Sequence, residues 1–252
     1  MLPPRLFGRG GKTEDRMRKV FITGGTGALG QALVKKFVQF GWETAFSFRQ
    51  NRQAAESLTS ECGARAFVAD LTEPESVARM AQRLEEEFGV PDALINNAGK
   101  SVVLPFALLE PDDWDEAMGV NLKTTFMATH ALIRGMIRQK GGAIVNFGSI
   151  AGERVLGVPV PYATAKSAIR GFTLSLAREV SRYSIRVNAV VPGLLEAGVS
   201  SLVPPAEKEE FLKYCLLGRP GRCEEVADLV EFLASDRASF INAQLIHING
   251  GF

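Results

Sequence analysis

The sequence predicts a single-domain α/β fold built on a doubly wound, parallel sheet of seven strands. Seven short apolar runs of strand type recur along the chain, most of them separated by amphipathic helical patterns. Such alternation implies a parallel sheet with both faces covered by helices. A glycine-rich turn stands between the first run and the first helix, where open sheets of this kind receive phosphate groups. At 252 residues and 46% hydrophobic content, the chain can bury a large core and is not a disordered composition.

The strand-like runs fall at about 19–23, 43–48, 64–68, 92–95, 143–148, 185–191 and 244–248. Helical patterns fall at about 28–40, 52–61, 74–88, 112–139, 161–183 and 223–234. The first run, Lys19 to Thr23, leads directly into Gly24-Gly25-Thr26-Gly27-Ala28-Leu29-Gly30, after which Leu33, Val34, Phe37 and Val38 repeat at helical spacing. Strand, glycine turn and helix in that order let a pyrophosphate approach the backbone and the helix N-terminus. Pro74 is expected to open a helix after Thr72, and Asp112 and Asp113 to cap another. The segment from Leu194 to Arg219 departs from the alternation, with Pro204-Pro205 and a short charged helical pattern from Ala206 to Tyr214. Placed beyond the sixth strand, it is expected to form a substrate lid. Residues 1–17, with two prolines and three glycines, lie outside the pattern and are expected to be a disordered extension. That leaves the domain at 18–252.

Composition removes several classes of function. A net charge of +1 gives no reason to invoke nucleic acid or a membrane surface. The longest apolar runs are too short to cross a bilayer. Cys62, Cys215 and Cys223 are odd in number and widely spaced, which points to reduced thiols in a cytoplasm rather than to disulfides or a metal site. His130 and His247 are 117 residues apart without companions at ligand spacing, so both are expected to be packing or surface residues.

The chemistry concentrates at Ser149, Tyr162 and Lys166. Tyr162 and Lys166 are four residues apart in Tyr-Ala-Thr-Ala-Lys, at the start of an amphipathic helix, and therefore share a helix face. An adjacent ammonium is expected to lower the phenol pKa and make the tyrosine a usable proton donor or acceptor. By itself this spacing is common and unspecific.

The accompanying motifs make it specific. Thr23-Gly24-x-x-x-Ala28-x-Gly30, Asn96-Asn97-Ala98-Gly99 after Ala93-Leu94-Ile95, Asn121 in Val-Asn-Leu, the Ser149, Tyr162 and Lys166 set, and Pro192-Gly193 occur in that order. Together they resemble the short-chain dehydrogenase/reductase family in its single-domain, Rossmann-like form, over about residues 18–252. The resemblance implies that Tyr162 exchanges the proton of the substrate oxygen, Lys166 holds the nicotinamide ribose, and Ser149 hydrogen-bonds the carbonyl oxygen. It implies that Asn121, inside the helix 112–139, supports a water linking the lysine to solvent. The cofactor contacts it implies are Gly24, Thr26, Gly27, Ala28, Leu29 and Gly30 in the glycine turn, and Asp70 and Leu71 near adenine. Asn96, Asn97, Ala98 and Gly99 are implied on the adenosine ribose side, and Pro192, Gly193 and Leu195 on the nicotinamide side, beside Tyr162 and Lys166. Asp70 can equally be read as a helix cap, and Asn121 as a helix-interior asparagine bonding its own backbone.

The end of the second strand indicates which dinucleotide. Glu43, the only acid there, comes too early to reach a ribose, whereas Ser47 and Arg49 suit a 2′-phosphate. NADPH is the expected cofactor, the alternative being that Arg49 and Arg52 are simply solvated. The family's frequent basic residue in the glycine turn is replaced by Gly27. Ala197 stands where a threonine is common, and Pro159 and Pro161 replace polar residues before the tyrosine.

His247-Ile248-Asn249-Gly250-Gly251 and Ser175-Leu176-Ala177-Arg178-Glu179-Val180 resemble the 3-oxoacyl-[acyl-carrier-protein] reductase branch. That implies an acyl carrier protein docking on Lys140 and Arg178 near the pocket mouth, and a homotetramer formed by the helices 112–139 and 161–183. Surplus apolar residues are expected there at Met118, Leu122, Phe126, Leu132 and Met136, and at Ala168, Phe172, Leu176 and Val180. Reductases of polyketide, aryl-polyene or steroid-type ketones share the pattern. Relatives that bind a dinucleotide without chemistry usually lack the tyrosine or the lysine, and both are present here.

Overall fold

The computed structural model describes residues 16–101 and 104–252. Its strands are β1 (Lys19–Ile22), β2 (Glu43–Phe48), β3 (Arg65–Val68), β4 (Ala93–Asn96), β5 (Gly142–Phe147), β6 (Ile185–Pro192) and β7 (Leu245–Ile248). They form one sheet in the order β3-β2-β1-β4-β5-β6-β7, with every pairing parallel. The order reverses between β1 and β4, which opens a crevice at the carboxyl ends of those strands.

The helices are α1 (Ala28–Gln39), α2 (Arg52–Cys62), α3 (Pro74–Glu87), α4 (Pro111–Met118), α5 (Thr124–Gln139), α6 (Val160–Val180), α7 (Pro205–Tyr214) and α8 (Cys223–Ala234). Leu33, Val34 and Phe37 of α1, with Val226, Val230 and Leu233 of α8, bury one face of the sheet. Val77, Met80 and Leu84 of α3, with Leu132 and Met136 of α5 and Val180 of α6, bury the other. No helix among the described residues is long and apolar enough to cross a membrane.

Three expectations are corrected. The helix expected over 112–139 is α4, a π-helical turn at Gly119–Lys123, and then α5. Glu110 rather than Asp112 is the N-cap of α4, and the Asp113 carboxylate accepts from its N–H at 3.0 Å. Leu132, Met136 and Val180, expected to be surplus, are core residues with side chains packed on the sheet. Among the residues expected on those faces, Phe126 is the exposed one, at 47%. The expected extension at 1–17 lies outside the described residues except for its end, where Arg16 pairs with Asp92 at 2.7 Å.

Candidate active site

The glycine turn is shaped for an anion. A Cβ on Gly30 would collide with the Gly24 carbonyl oxygen, and Gly24 holds a left-handed φ of +68°. Neither position accepts a side chain without the turn opening. Gly27, the N-cap of α1, offers no side chain to the first N–H groups of the helix, so these stay available to a phosphate. Thr26, Ala28 and Leu29 are partly exposed on the same turn. The cradle fits a dinucleotide pyrophosphate.

The turn after β4 holds this cradle from behind. The Asn97 amide donates to the carbonyls of Thr23 at 3.0 Å and Gly24 at 3.2 Å. Ala98 N–H donates to the Thr23 hydroxyl at 3.0 Å. Asn96, expected at the ribose, is corrected: it is buried, and its amide donates to Thr129 and to Asn146 beneath α5. Successive strand residues face opposite sides, so Asn96 points into the core layer away from the cradle.

Ser149, Tyr162, Lys166 and Asn121 converge beside it. Ser149 ends the extended segment after β5, and its hydroxyl accepts from Ala151 N–H at 3.1 Å and bonds the Tyr162 phenol. Lys166 lies one turn along α6, with Nζ 5.9 Å from the Tyr162 ring centroid, and donates at 3.0 Å to the Phe147 carbonyl. A Cβ placed on Gly99 would lie 3.0 Å from Asn121 Oδ1 and 3.6 Å from Lys166 Nζ, so the two groups flank one bare backbone position. Asn121 sits in the π-helical turn and grips Lys100, accepting from its N–H at 3.1 Å and donating to its carbonyl at 2.7 Å. Such π-turns often occur at functional sites.

Gly152 escaped the sequence reading and holds the cluster together. A Cβ there would lie 2.6 Å from Ser167 N and 2.8 Å from Lys166 C, so the serine loop rests directly on the α6 backbone. The sequence signal was a glycine three residues after Ser149.

Burial governs the two titrating groups. Enclosure pushes the Tyr162 phenol above its usual pKa, and the Ser149 hydrogen bond opposes that shift without cancelling it. The expected lowering by the neighbouring ammonium is therefore corrected: enclosure sets the direction of the shift, and the group that opposes it is Ser149 rather than Lys166. Burial also pushes Lys166 down to about 8.

At the 2′-phosphate position the structure differs from expectation. β2 ends at Phe48, as expected, but Ser47 lies buried beneath the glycine turn, where its hydroxyl accepts from Gly24 N–H at 3.4 Å. Arg49 is half exposed and sits 3.6 Å from the Asp70 carboxylate. Burial alone would raise the Asp70 pKa, but hydrogen bonds from Thr72 and the Arg49 cation hold it below the usual range. Asp70 thus caps the turn before α3, accepting from Thr72 N–H at 2.9 Å and its hydroxyl at 2.6 Å, while Leu71 is buried.

Beside Tyr162 a cleft opens between α4 and the Pro159–Pro161 turn. Lys100, Asp113 and Glu116 give it charged lining, with the Lys100 ammonium 3.0 Å from Glu116, and Val120, Pro159 and Pro161 line it as well. On the nicotinamide side, Gly193 N–H donates to the Ile248 carbonyl at 3.0 Å, and Leu195 N–H to the Ser200 hydroxyl at 3.1 Å. Ala197, where threonine was expected, caps the short 3₁₀ turn Gly198–Leu202. Pro192 ends β6. The segment expected as lid carries α7, which buries Phe211 against Ile150, Val191 and Cys215.

Lys140 and Arg178 are not at the pocket mouth. Helices return antiparallel to the strands, and both residues end helices that lead into the starts of β5 and β6. Arg178 follows Tyr162 by sixteen residues on α6, a distance of about 24 Å at a helical rise of ~1.5 Å per residue. His247, read as lacking an acidic companion, has its Nε2 2.5 Å from Glu153 Oε2, while His130 packs on Phe126 at 5.5 Å.

Residues 25–252 match the family described as enoyl-(acyl carrier protein) reductase. The chain belongs to the short-chain dehydrogenase/reductase family. It is 33% identical over 234 residues to the 3-oxoacyl-[acyl-carrier-protein] reductase of Pseudomonas aeruginosa, covering 91% of this chain and 95% of the relative. The corresponding Aquifex aeolicus protein is 34% identical over 235 residues, covering 91% and 95%. Among solved structures, a gluconate 5-dehydrogenase from Burkholderia cenocepacia J2315 in complex with NADP and tartrate superposes with a TM-score of 0.87. It is 30% identical, over 93% of this chain and 94% of that one. As a short-chain dehydrogenase/reductase, the protein is an oxidoreductase acting between CH–OH and C=O groups.

Proposed function

We propose that this protein reduces a 3-oxoacyl thioester, carried on an acyl carrier protein, to the 3-hydroxyacyl form with NADPH. The observation that carries the proposal is the cluster of Ser149, Tyr162 and Lys166 beside the glycine cradle, in a chain similar along 91% of its length to reductases of that name. NADPH bound on the cradle supplies the hydride. Tyr162 gives the substrate oxygen its proton, and its raised pKa keeps the phenol protonated until that transfer. Ser149 orients the carbonyl oxygen. Lys166 holds the nicotinamide ribose, and Asn121 fixes the Lys100 backbone beside it. Gly24, Thr26, Gly27, Ala28, Leu29 and Gly30 hold the pyrophosphate, and Arg49 turns from Asp70 toward the 2′-phosphate. Asp70, Leu71, Asn97, Ala98 and Gly99 border the adenosine, and Pro192, Gly193 and Leu195 the nicotinamide. The domain spans 18–252, with 194–219 as lid.

Lys140 and Arg178 are exposed and form no ion pair with a described residue. As they lie at the sheet end remote from Tyr162, a carrier docked on them serves the site of a neighbouring copy. The carrier reading therefore requires an oligomer, proposed as a tetramer. Exposed Phe106, Leu108, Trp114, Phe126 and Val160 around α4–α6 supply apolar surface for it.

The charged lining of the cleft favours a second reading, in which the substrate is a small polar ketone or alcohol. Steady-state rates with acetoacetyl-carrier protein, acetoacetyl-CoA, ethyl acetoacetate and a sugar ketone separate the two. The proposal expects the carrier thioester to have the highest kcat/KM. A sugar ketone as the best substrate overturns it.

A further inference from the structure

One short segment touches three walls of the site. Its first residue, His247, reaches Glu153 at 2.5 Å, on the loop that begins with Ser149. Next, the Ile248 carbonyl accepts from Gly193 N–H at 3.0 Å, and a Cβ on Gly193 would lie 2.9 Å from Asn249 Cα. The nicotinamide-side turn is thus pressed against the segment. Asn249 then folds the chain back, accepting from Gly251 N–H at 3.0 Å and donating to the Phe252 carbonyl at 3.2 Å. Gly250 and Gly251 take φ of 70° and 84°, which this turn requires. Finally the Phe252 ring stacks on Phe211 of α7 at 4.6 Å, with 5° between the planes, and meets Tyr214 edge-on at 6.4 Å.

α7 is held mainly by Phe211, with the partly buried Leu212 packed on the same cluster. Of its ten residues Phe211 is the one that is buried, while the charged Glu209, Glu210 and Lys213 face solvent. A helix this short is marginal without tertiary anchors. Phe211 in turn packs on Ile150, the residue after Ser149.

We propose that residues 247–252 form a positioning strap, in which Phe252 sets the resting place of the lid through Phe211 and His247 sets the Ser149 loop through Glu153. Neither residue is required to touch the substrate. The inference rests on the reading of 194–219 as the substrate lid.

The test uses the full chain with NADPH and the variants Phe252→Ala, Phe252→Tyr and His247→Gln. Trypsin cleavage after Lys208 and Lys213, followed by mass spectrometry, reports lid order without any need for turnover. Phe252→Ala is expected to speed cleavage at those two sites by about tenfold, while sites outside the lid keep their wild-type rates. It is also expected to raise KM for ethyl acetoacetate several-fold with kcat, NADPH affinity and Tm nearly unchanged. Phe252→Tyr, which keeps the stacked ring, restores both readouts, and His247→Gln lowers kcat without speeding lid cleavage. Unchanged lid cleavage in Phe252→Ala overturns the proposal, as does acceleration spread evenly over the chain. Should no ketone be reduced by the wild type while lid cleavage still responds, the reductase reading fails and the strap stands.

Discussion

Lys166 Nζ lies 5.9 Å from the centre of the Tyr162 ring and donates a hydrogen bond, at 3.0 Å, to the Phe147 carbonyl. The ammonium is therefore buried against a backbone dipole, one helical turn from the phenol and without a carboxylate partner among the described residues. Burial lowers its pKa from 10.5 to about 8, which gives a signed dependence of stability on pH. Between those values the unfolded chain binds more protons than the folded one, so the lysine's contribution to stability improves as pH rises through the window. Below about 8 its penalty is constant. The difference in unfolding free energy between Lys166→Met and wild type should thus favour the variant most below pH 8 and shrink toward pH 10.5. Denaturant titrations at several pH values measure it, and a difference that stays flat contradicts the burial account.

Arg49 is expected to carry the preference for NADPH even though it rests 3.6 Å from Asp70. The pair is substantially exposed and holds the guanidinium only weakly. A 2′-phosphate offers a stronger, charge-assisted contact, so Arg49→Ala should cost about 1.5–3 kcal/mol with NADPH and little with NADH. The ratio of kcat/KM for the two cofactors checks this. Equal losses with both would mean that the arginine serves the Asp70 turn alone.

Gly152 should be intolerant of a side chain. A methyl group there would meet the α6 backbone at 2.6 Å, so the serine loop must lift away from Tyr162. Gly152→Ala should lower kcat for ketone reduction by more than about tenfold, since small misplacements of orienting groups are costly, while NADPH binding persists because the glycine turn makes no contact with Gly152. A variant with wild-type kcat would show that the loop accommodates the methyl group without moving Ser149.

Much of the fold was legible because strand runs and helix periods are local. β2 is bounded by a glycine turn and an asparagine cap, Gly41 and Asn51, and its limits agree with the structure. The break in 112–139 was hidden, because a π-turn inserts a residue without altering composition or interrupting the apolar pattern around Gly119. The spacing of Ser149, Tyr162 and Lys166 displayed the site, yet the lysine's partner is a main-chain carbonyl, which leaves no side-chain signature. Arg49 and Asp70 meet only because β2 and β3 pair in parallel, a contact across twenty-one positions of sequence. His247 and Glu153 are likewise joined by the sheet end rather than by spacing. The remoteness of Arg178, by contrast, follows from helix length and the direction of the chain.

The role of Tyr162 as proton donor is tested most directly by single-turnover oxidation of NADPH with acetoacetyl-carrier protein in wild type and Tyr162→Phe. Loss of the phenolic proton should slow the hydride step by about 10²–10⁴-fold, with NADPH affinity nearly unchanged. A variant that keeps more than about a tenth of the wild-type rate would contradict general acid catalysis by Tyr162.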